Sequence, residues 1–203
     1  MILAIDTSTA ACSVALFDGG GACIAHRDEV IGRGHAERLV PLIDELLGGR
    51  AATHILVGVG PGSFTGLRVG IAAAQGMAIG WDAELAGLSS LALLAAGAAD
   101  GASVAAATHG GHGELFVQQF NRSPLCPSSQ FLSLTPADAA AAISAPLVVG
   151  PAASDLVAAR GWGDAVDAWP RAANALSLPE ALRSLEPRPI YARAPDARAR
   201  EAA

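Results

Sequence analysis

The sequence predicts an α/β fold in two units, each a mixed sheet with helices. Three observations predict it. Residues 2–27 read as three short strands around a glycine hairpin, Ile55 to Val59 runs through a glycine turn into a long apolar helix, and a new pair of strands begins beyond Asp100-Gly101. The units are therefore placed at 1–101 and 102–203, with the last segment expected to pack back on the first.

In order, Ile2 to Ile5 is a buried-strand run ending at Asp6-Thr7-Ser8-Thr9, a turn of small hydroxylated residues. Cys12 to Phe17 alternates as a strand, Asp18 to Gly21 is a hairpin turn, and Ala22 to Arg27 pairs back. From Gly34 to Leu47, Leu39, Leu42, Ile43 and Leu46 follow helical spacing, with Gly48-Gly49 as a stop; Pro41 marks a kink or the true start. After the Ile55–Val59 strand, Gly60 to Gly66 reads as a turn and Leu67 to Ile79 as a helix with two small or apolar stripes, Leu67, Ile71, Ala74, Ala78 and Gly66, Gly70, Ala73, Met77, Gly80. Glycine inside a helix costs about 1 kcal/mol, so Gly70 and Gly76 call for a close neighbour, expected to be another chain.

Glu84 to Leu88 reads as a strand and Ser89 to Ala98 as a serine-capped helix. In the second unit Val104 to Thr108, Leu115 to Phe120, Phe131 to Leu134 and Pro146 to Val149 read as strands. Thr135 caps an alanine-rich helix through Ile143, and Ser154 to Arg160 and Ala175 to Leu185 are further helices. Pro187, Pro189 and Pro195 make the end extended, and Asp196 to Ala203 is expected to fray. No tandem repeat is visible.

Composition excludes several classes. At 203 residues and 52% hydrophobic content there is ample core. Net charge −6 argues against autonomous nucleic-acid binding through a basic surface. All 13 basic residues are arginine, which removes Schiff-base chemistry and the P-loop lysine. Cys12, Cys23 and Cys126 match neither a disulfide framework nor a metal site, so a reducing cytoplasm is expected. No apolar run approaches the roughly 18 residues of a membrane span and Met1 leads straight into a strand, so a soluble, unprocessed chain is expected.

Four groups of residues bear on chemistry. Gly60 to Gly66 precedes a helix N-terminus but fits neither the P-loop nor the dinucleotide fingerprint. Asp6, Thr7, Ser8 and Thr9 resemble the Asp-x-Gly-Thr phosphate loop of actin-like ATPases and sugar kinases, with Ser8 where glycine is needed, and read as a vestigial loop. His109, His112 and Glu114 lie in a glycine-rich turn unlike a zincin helix and read as a solvated hairpin loop. No nucleophile elbow surrounds Ser63, Cys12 or Cys126. No catalytic residue, metal or cofactor is expected.

Three segments carry a resemblance: Ile2 to Thr9, His35-Ala36-Glu37-Arg38-Leu39-Val40-Pro41-Leu42-Ile43, and Gly60-Pro61-Gly62-Ser63-Phe64-Thr65-Gly66-Leu67-Arg68-Val69-Gly70. With fainter matches at Gly113 to Phe116, Val149-Gly150 and Pro189 to Arg193, they resemble the TsaB (YeaZ) family of bacterial tRNA threonylcarbamoyladenosine biosynthesis proteins. The resemblance implies two actin-like subdomains of the RNase H-like, sugar-kinase superfamily and a non-catalytic subunit. Its partner would be the paralogue TsaD, which transfers threonylcarbamoyl to the adenosine beside the anticodon, with the ATPase TsaE completing the assembly. A homodimer in isolation, tRNA contact only through the complex and no membrane contact are also implied. The interface implied comprises His35, Glu37, Arg38, Leu39, Leu42, Gly66, Arg68, Val69, Gly70, Ala73 and Met77. Where the family often carries an Asp-Ala-Arg turn this chain has His109-Gly110-Gly111. The alternative is a small-molecule kinase or ATPase of the same superfamily, which needs an intact phosphate loop.

Overall fold

Two sheets are stacked with helices between and outside them in a computed structural model that describes residues 1–99, 101 and 103–191. The expected boundary residue Asp100, the matches at Ala192 and Arg193, and the segment from Pro195 to Ala203 lie outside the described residues.

The first sheet contains β1 (Ile2–Asp6), β2 (Ala11–Phe17), β3 (Cys23–Val30), β4 (His54–Gly60) and β5 (Glu84–Ser89) in the order β3-β2-β1-β4-β5. β1, β2 and β3 pair antiparallel, and β4 and β5 add in parallel beyond β1. The hairpin turn closes because the Asp18 carboxylate accepts the Gly20 and Ala22 amides, an Asx turn that holds the tip. The second sheet contains β6 (Ser103–His109), β7 (Leu115–Arg122), β8 (Leu125–Pro127), β9 (Leu132–Leu134), β10 (Leu147–Val149) and β11 (Asp164–Val166). Its order is β11-β10-β6-β7-β8, with β9 beside β7. The order of the first sheet thus recurs in the second, with β6, β7, β10 and β11 in the places of β1, β2, β4 and β5. β8 and β11 are strands the sequence reading lacked.

The helices are α1 (His35–Leu47), α2 (Phe64–Trp81), α3 (Ser90–Ala96), α4 (Pro136–Ala142) and α5 (Ala153–Arg160). Alternation along β1 sends Leu3 and Ile5 into a core with Leu39, Leu42 and Ile43 of α1 and Ile71 and Ala74 of α2. The opposite face sends Ala4, Ala15 and Phe17 toward α3 and the inner face of the second sheet, Val104, Ala106 and Phe120. Ala105, Ala107 and Val117 pack under α4 and α5. The layers run α1/α2, sheet, α3, sheet, α4/α5. Among the described residues, no helix is long and apolar enough to cross a membrane.

Three local expectations need correction. α2 starts at Phe64, because Ser63 caps it by accepting the Gly66 amide, so Phe64, Thr65 and Gly66 form its first turn. α1 runs unbroken through Pro41, which sits on the exposed side, where the hydrogen bond it cannot make falls toward water. Ala175 to Leu185 is not a helix: 3-10 turns at Ala172–Ser177 and Glu180–Leu182 flank Pro179, which holds Leu178 extended. This segment returns to the first sheet. Leu185 pairs with Gly87, the Ile190 amide donates to the Val59 carbonyl, and the Ala172 amide to the Ser13 hydroxyl.

Candidate functional site

The two motifs that stand apart in sequence, Asp6 to Thr9 and Gly60 to Gly70, are one interlocked structure. The β1–β2 turn projects Thr7 and Ser8 against the N-terminal end of α2. Thr7 Oγ1 donates to the Gly66 carbonyl at 2.8 Å, and the Ser63 amide donates to the Ser8 carbonyl at 2.6 Å. A Cβ on Gly62 would lie 2.2 Å from the Ser8 carbonyl oxygen, one on Gly66 2.1 Å from the Thr7 carbonyl oxygen, and one on Gly70 2.3 Å from Thr7 Oγ1. The glycines therefore admit this chain's own loop.

Asp6 is the centre of the loop and is sealed from solvent. Its Oδ1 accepts the Ser8 amide at 2.9 Å and the Ser8 hydroxyl at 2.7 Å, while Oδ2 accepts the Ser90 hydroxyl at 2.6 Å. A Cβ on Gly58 would sit 2.1 Å from Oδ2, so β4 must carry glycine where it passes the carboxylate. Burial pushes the Asp6 carboxyl up from its ordinary value, opposed by the hydrogen bonds from Ser90 and Ser8. Enclosed this way, Asp6 clamps β1, β4 and the start of α3. Ser90 is a residue the sequence reading missed; the Ser89-Ser90 pair was the available signal, but only Ser89 was read, as the cap.

The expected interface residues differ in burial. His35, Leu39, Leu42, Gly66 and Gly70 are buried within the chain. Leu39 and Leu42 fill the core under α1, His35 Nε2 lies 3.3 Å from the Ala11 carbonyl, and Gly66 and Gly70 meet Thr7. Val69, Ala73 and Met77 are half-buried at the base of α2 against the same core. Glu37 is exposed. Arg38 grips Glu29 of β3 through Nε and Nη2 at 2.7 and 2.6 Å and reaches Glu45 at 3.0 Å, pinning α1 to the sheet edge. Hydrogen bonding to Arg38 holds the Glu29 carboxyl below its ordinary range. Arg68 is exposed and lies over the Phe64 ring at 3.7 Å, with Nε donating to Tyr191 Oη at 3.1 Å.

The outward side of α2 is different. Phe64, Thr65, Arg68, Ala72, Gln75, Gly76 and Ile79 are exposed there, Ile79 at 85%, and Arg68 is the one charge in the helix. Among the described residues, nothing lies within 4 Å of a Cβ placed on Gly76. Val40 on α1 is exposed as well.

The remaining candidates are Cys12 and the segment from His109 to Glu114. Burial raises the Cys12 thiol to about 12, so it is an inert core residue. The segment from His109 to Glu114 is an exposed hairpin connection between β6 and β7, within which His109 Nε2 meets the Asp155 carboxylate of α5 at 2.9 Å and Glu114 accepts the Ser133 hydroxyl. Among the described residues, no three His, Cys, Asp or Glu side chains come together as metal ligands.

A family model for TsaD, the tRNA N6-adenosine threonylcarbamoyltransferase, matches residues 27–124. A structure described as an uncharacterized protein with similarity to peptidase YEAZ from Pseudomonas aeruginosa is 30% identical, covers 95% of this chain and is itself 99% covered, with a TM-score of 0.80. The chain belongs to the TsaB/YeaZ family. A second structure, YeaZ from Pseudomonas aeruginosa, superposes at a TM-score of 0.76 with 29% identity over 94% of this chain and 98% of its own. Among characterised TsaB/YeaZ relatives, the Escherichia coli tRNA threonylcarbamoyladenosine biosynthesis protein TsaB is 41% identical over 129 residues, 60% of this chain and 55% of its own length. TsaB of Haemophilus influenzae is 44% identical over 99 residues, 46% of this chain and 41% of its own length. The chain thus matches about half the length of these curated relatives. The two-sheet architecture described above is the α/β actin-like fold of the family.

Proposed function

We propose that this chain is a non-catalytic subunit of tRNA threonylcarbamoyladenosine biosynthesis, pairing with TsaD through the outward face of α2 and the adjoining side of α1. The observation that carries the reading is that face: an 18-residue helix exposing Ala72, Gly76 and Ile79 with a single charge beside them. Apolar surface of this kind, with a glycine that nothing among the described residues approaches, suits a partner helix at close range.

Several features support a role without chemistry of its own. Asp6 is enclosed by hydroxyls, Cys12 is inert, and the chain has no lysine. The match to a TsaD model supports descent of subunit and partner from one fold. Net charge −6 favours tRNA contact through the partner, and TsaE joins the assembly through the pair. In isolation the same face pairs two copies. The free cysteines suit the reducing cytoplasm.

The test is Ile79→Asp, which places a charge on the exposed face without touching the core. The variant should melt like wild type, elute separately from TsaD on size exclusion, and fail to support tRNA modification in a reconstituted assay. Co-elution equal to wild type would overturn the proposed face; unimpaired modification by TsaD with this chain omitted would overturn the role.

A further inference from the structure

We propose that the segment from Leu185 to Tyr191 presents Arg68 as a fixed cation that receives a carboxylate of TsaD at the edge of the α2 face. This rests on that face being the one TsaD meets.

The segment is tied down along its length. Leu185 and Gly87 exchange backbone hydrogen bonds at 2.7 and 2.9 Å, the Ile190 amide donates to the Val59 carbonyl at 2.8 Å, and Gln75 Nε2 donates to the Pro187 carbonyl at 3.5 Å. Pro187 and Pro189 restrict the backbone between these ties. Tyr191 is thereby brought to the first turns of α2. Its ring centroid lies 5.5 Å from that of Phe64, and its Oη accepts Arg68 Nε at 3.1 Å. The contacts share one edge of the helix: at about 100° per residue, Phe64, Arg68 and Gln75 fall within an arc of about 40°. Thr65, Ala72, Gly76 and Ile79 fill the next arc of about 60° and stay exposed. The segment therefore borders the apolar face and leaves it open.

Arg68 carries the argument. Its guanidinium lies 3.7 Å over the Phe64 ring and 5.9 Å from the Tyr191 ring centroid. Stacking and the bond to Tyr191 have already restricted a long exposed side chain, so less freedom remains to be lost when a partner binds. Nε is used by Tyr191, while Nη1 and Nη2 meet no acceptor among the described residues. Two N–H groups presented side by side match the two oxygens of a carboxylate. Within the segment itself, Glu186 is engaged by Arg188. Because α2 contains no acid, the α2 of a second copy brings Arg68 no counter-charge, whereas a different chain bearing an acidic side chain does. An arginine beside aromatic rings at the rim of an apolar face is also the composition that anchors protein interfaces.

Titrating full-length TsaD against Arg68→Gln, Tyr191→Ala and Tyr191→Phe by calorimetry, at low and high NaCl, tests this. Arg68→Gln and Tyr191→Ala should melt like wild type and bind about tenfold more weakly. Rising salt should weaken wild-type binding and leave Arg68→Gln nearly unaffected. Tyr191→Phe keeps the ring and loses only the acceptor for Arg68, so it should fall between; it decides the matter if Tyr191→Ala melts early. Wild-type affinity in Arg68→Gln or in both Tyr191 variants, with Ile79→Asp still disruptive, would overturn the proposal and leave the docking face standing. An Ile79→Asp variant that binds normally would remove both. Self-association of the isolated chain, followed by ultracentrifugation, should be unchanged by Arg68→Gln; weakening equal to that seen with TsaD would assign the carboxylate to a second copy and overturn the proposal.

Discussion

The Thr7 hydroxyl donates to the Gly66 carbonyl at 2.8 Å across 59 residues of sequence, and this bond is the latch between the first turn of the chain and its central helix. Around it, Gly62, Gly66 and Gly70 each pass Thr7 or Ser8 at distances no side chain permits. The glycine-rich motif is thereby accounted for by folding, while the outward face of α2 meets Pro187 and Tyr191 at Gln75 and Arg68 and stays exposed at Gly76 and Ile79 among the described residues.

Glycines of one helix should respond in opposite ways. Gly66→Ala and Gly70→Ala must displace Thr7, and overpacking of this kind costs about 1 to 3 kcal/mol. Gly76→Ala meets nothing and should stabilise the chain by up to about 1 kcal/mol through helix propensity. Urea denaturation of the isolated variants measures both signs. Equal destabilisation by all three would mean that α2 is packed on its outward face as well.

Asp6→Ala removes the acceptor for the Ser8 amide, the Ser8 hydroxyl and the Ser90 hydroxyl together. Stranding these buried donors should cost about 3 kcal/mol or more. Asp6→Asn, which keeps one carbonyl oxygen for the Ser8 amide, should lose less. A denaturation midpoint for Asp6→Ala within error of wild type would show that the clamp contributes nothing.

Glu29 makes stability depend on pH with a definite sign. Its folded carboxyl lies below the ordinary value of 4.5 because Arg38 favours the ionised form. The contribution is therefore complete above that value and is lost as pH falls through the lower folded value. Denaturation midpoints measured from about pH 6 to about pH 3 should decline more steeply for wild type than for Arg38→Met. Parallel profiles would remove the Arg38–Glu29 pair from the explanation.

Local elements were legible wherever chemistry acts over a few residues. Alternation over Cys12 to Phe17, the Asp18 turn, the Ser89 cap and the glycine stop at Gly48 all correspond to observed features. The start of α2 and the broken segment around Pro179 were misread, since a cap or a proline competes with apolar spacing and the spacing was given priority. The recurrence of strand order in the two sheets was invisible because strand order leaves no repeated residues behind.

What the sequence by itself determined was that a Cβ is missing at Gly66 and Gly70, that a carboxylate follows the first strand, and that α2 is nearly uncharged. Only the tertiary structure decided what occupies those places: Thr7 at the two glycines and Ser8 and Ser90 around Asp6. The reason is physical. A glycine or an acid records a requirement for close approach or for donors, but the atoms meeting it arrive from 59 or 84 residues away along the chain, and only the packing of the sheet on its helices selects which atoms those are.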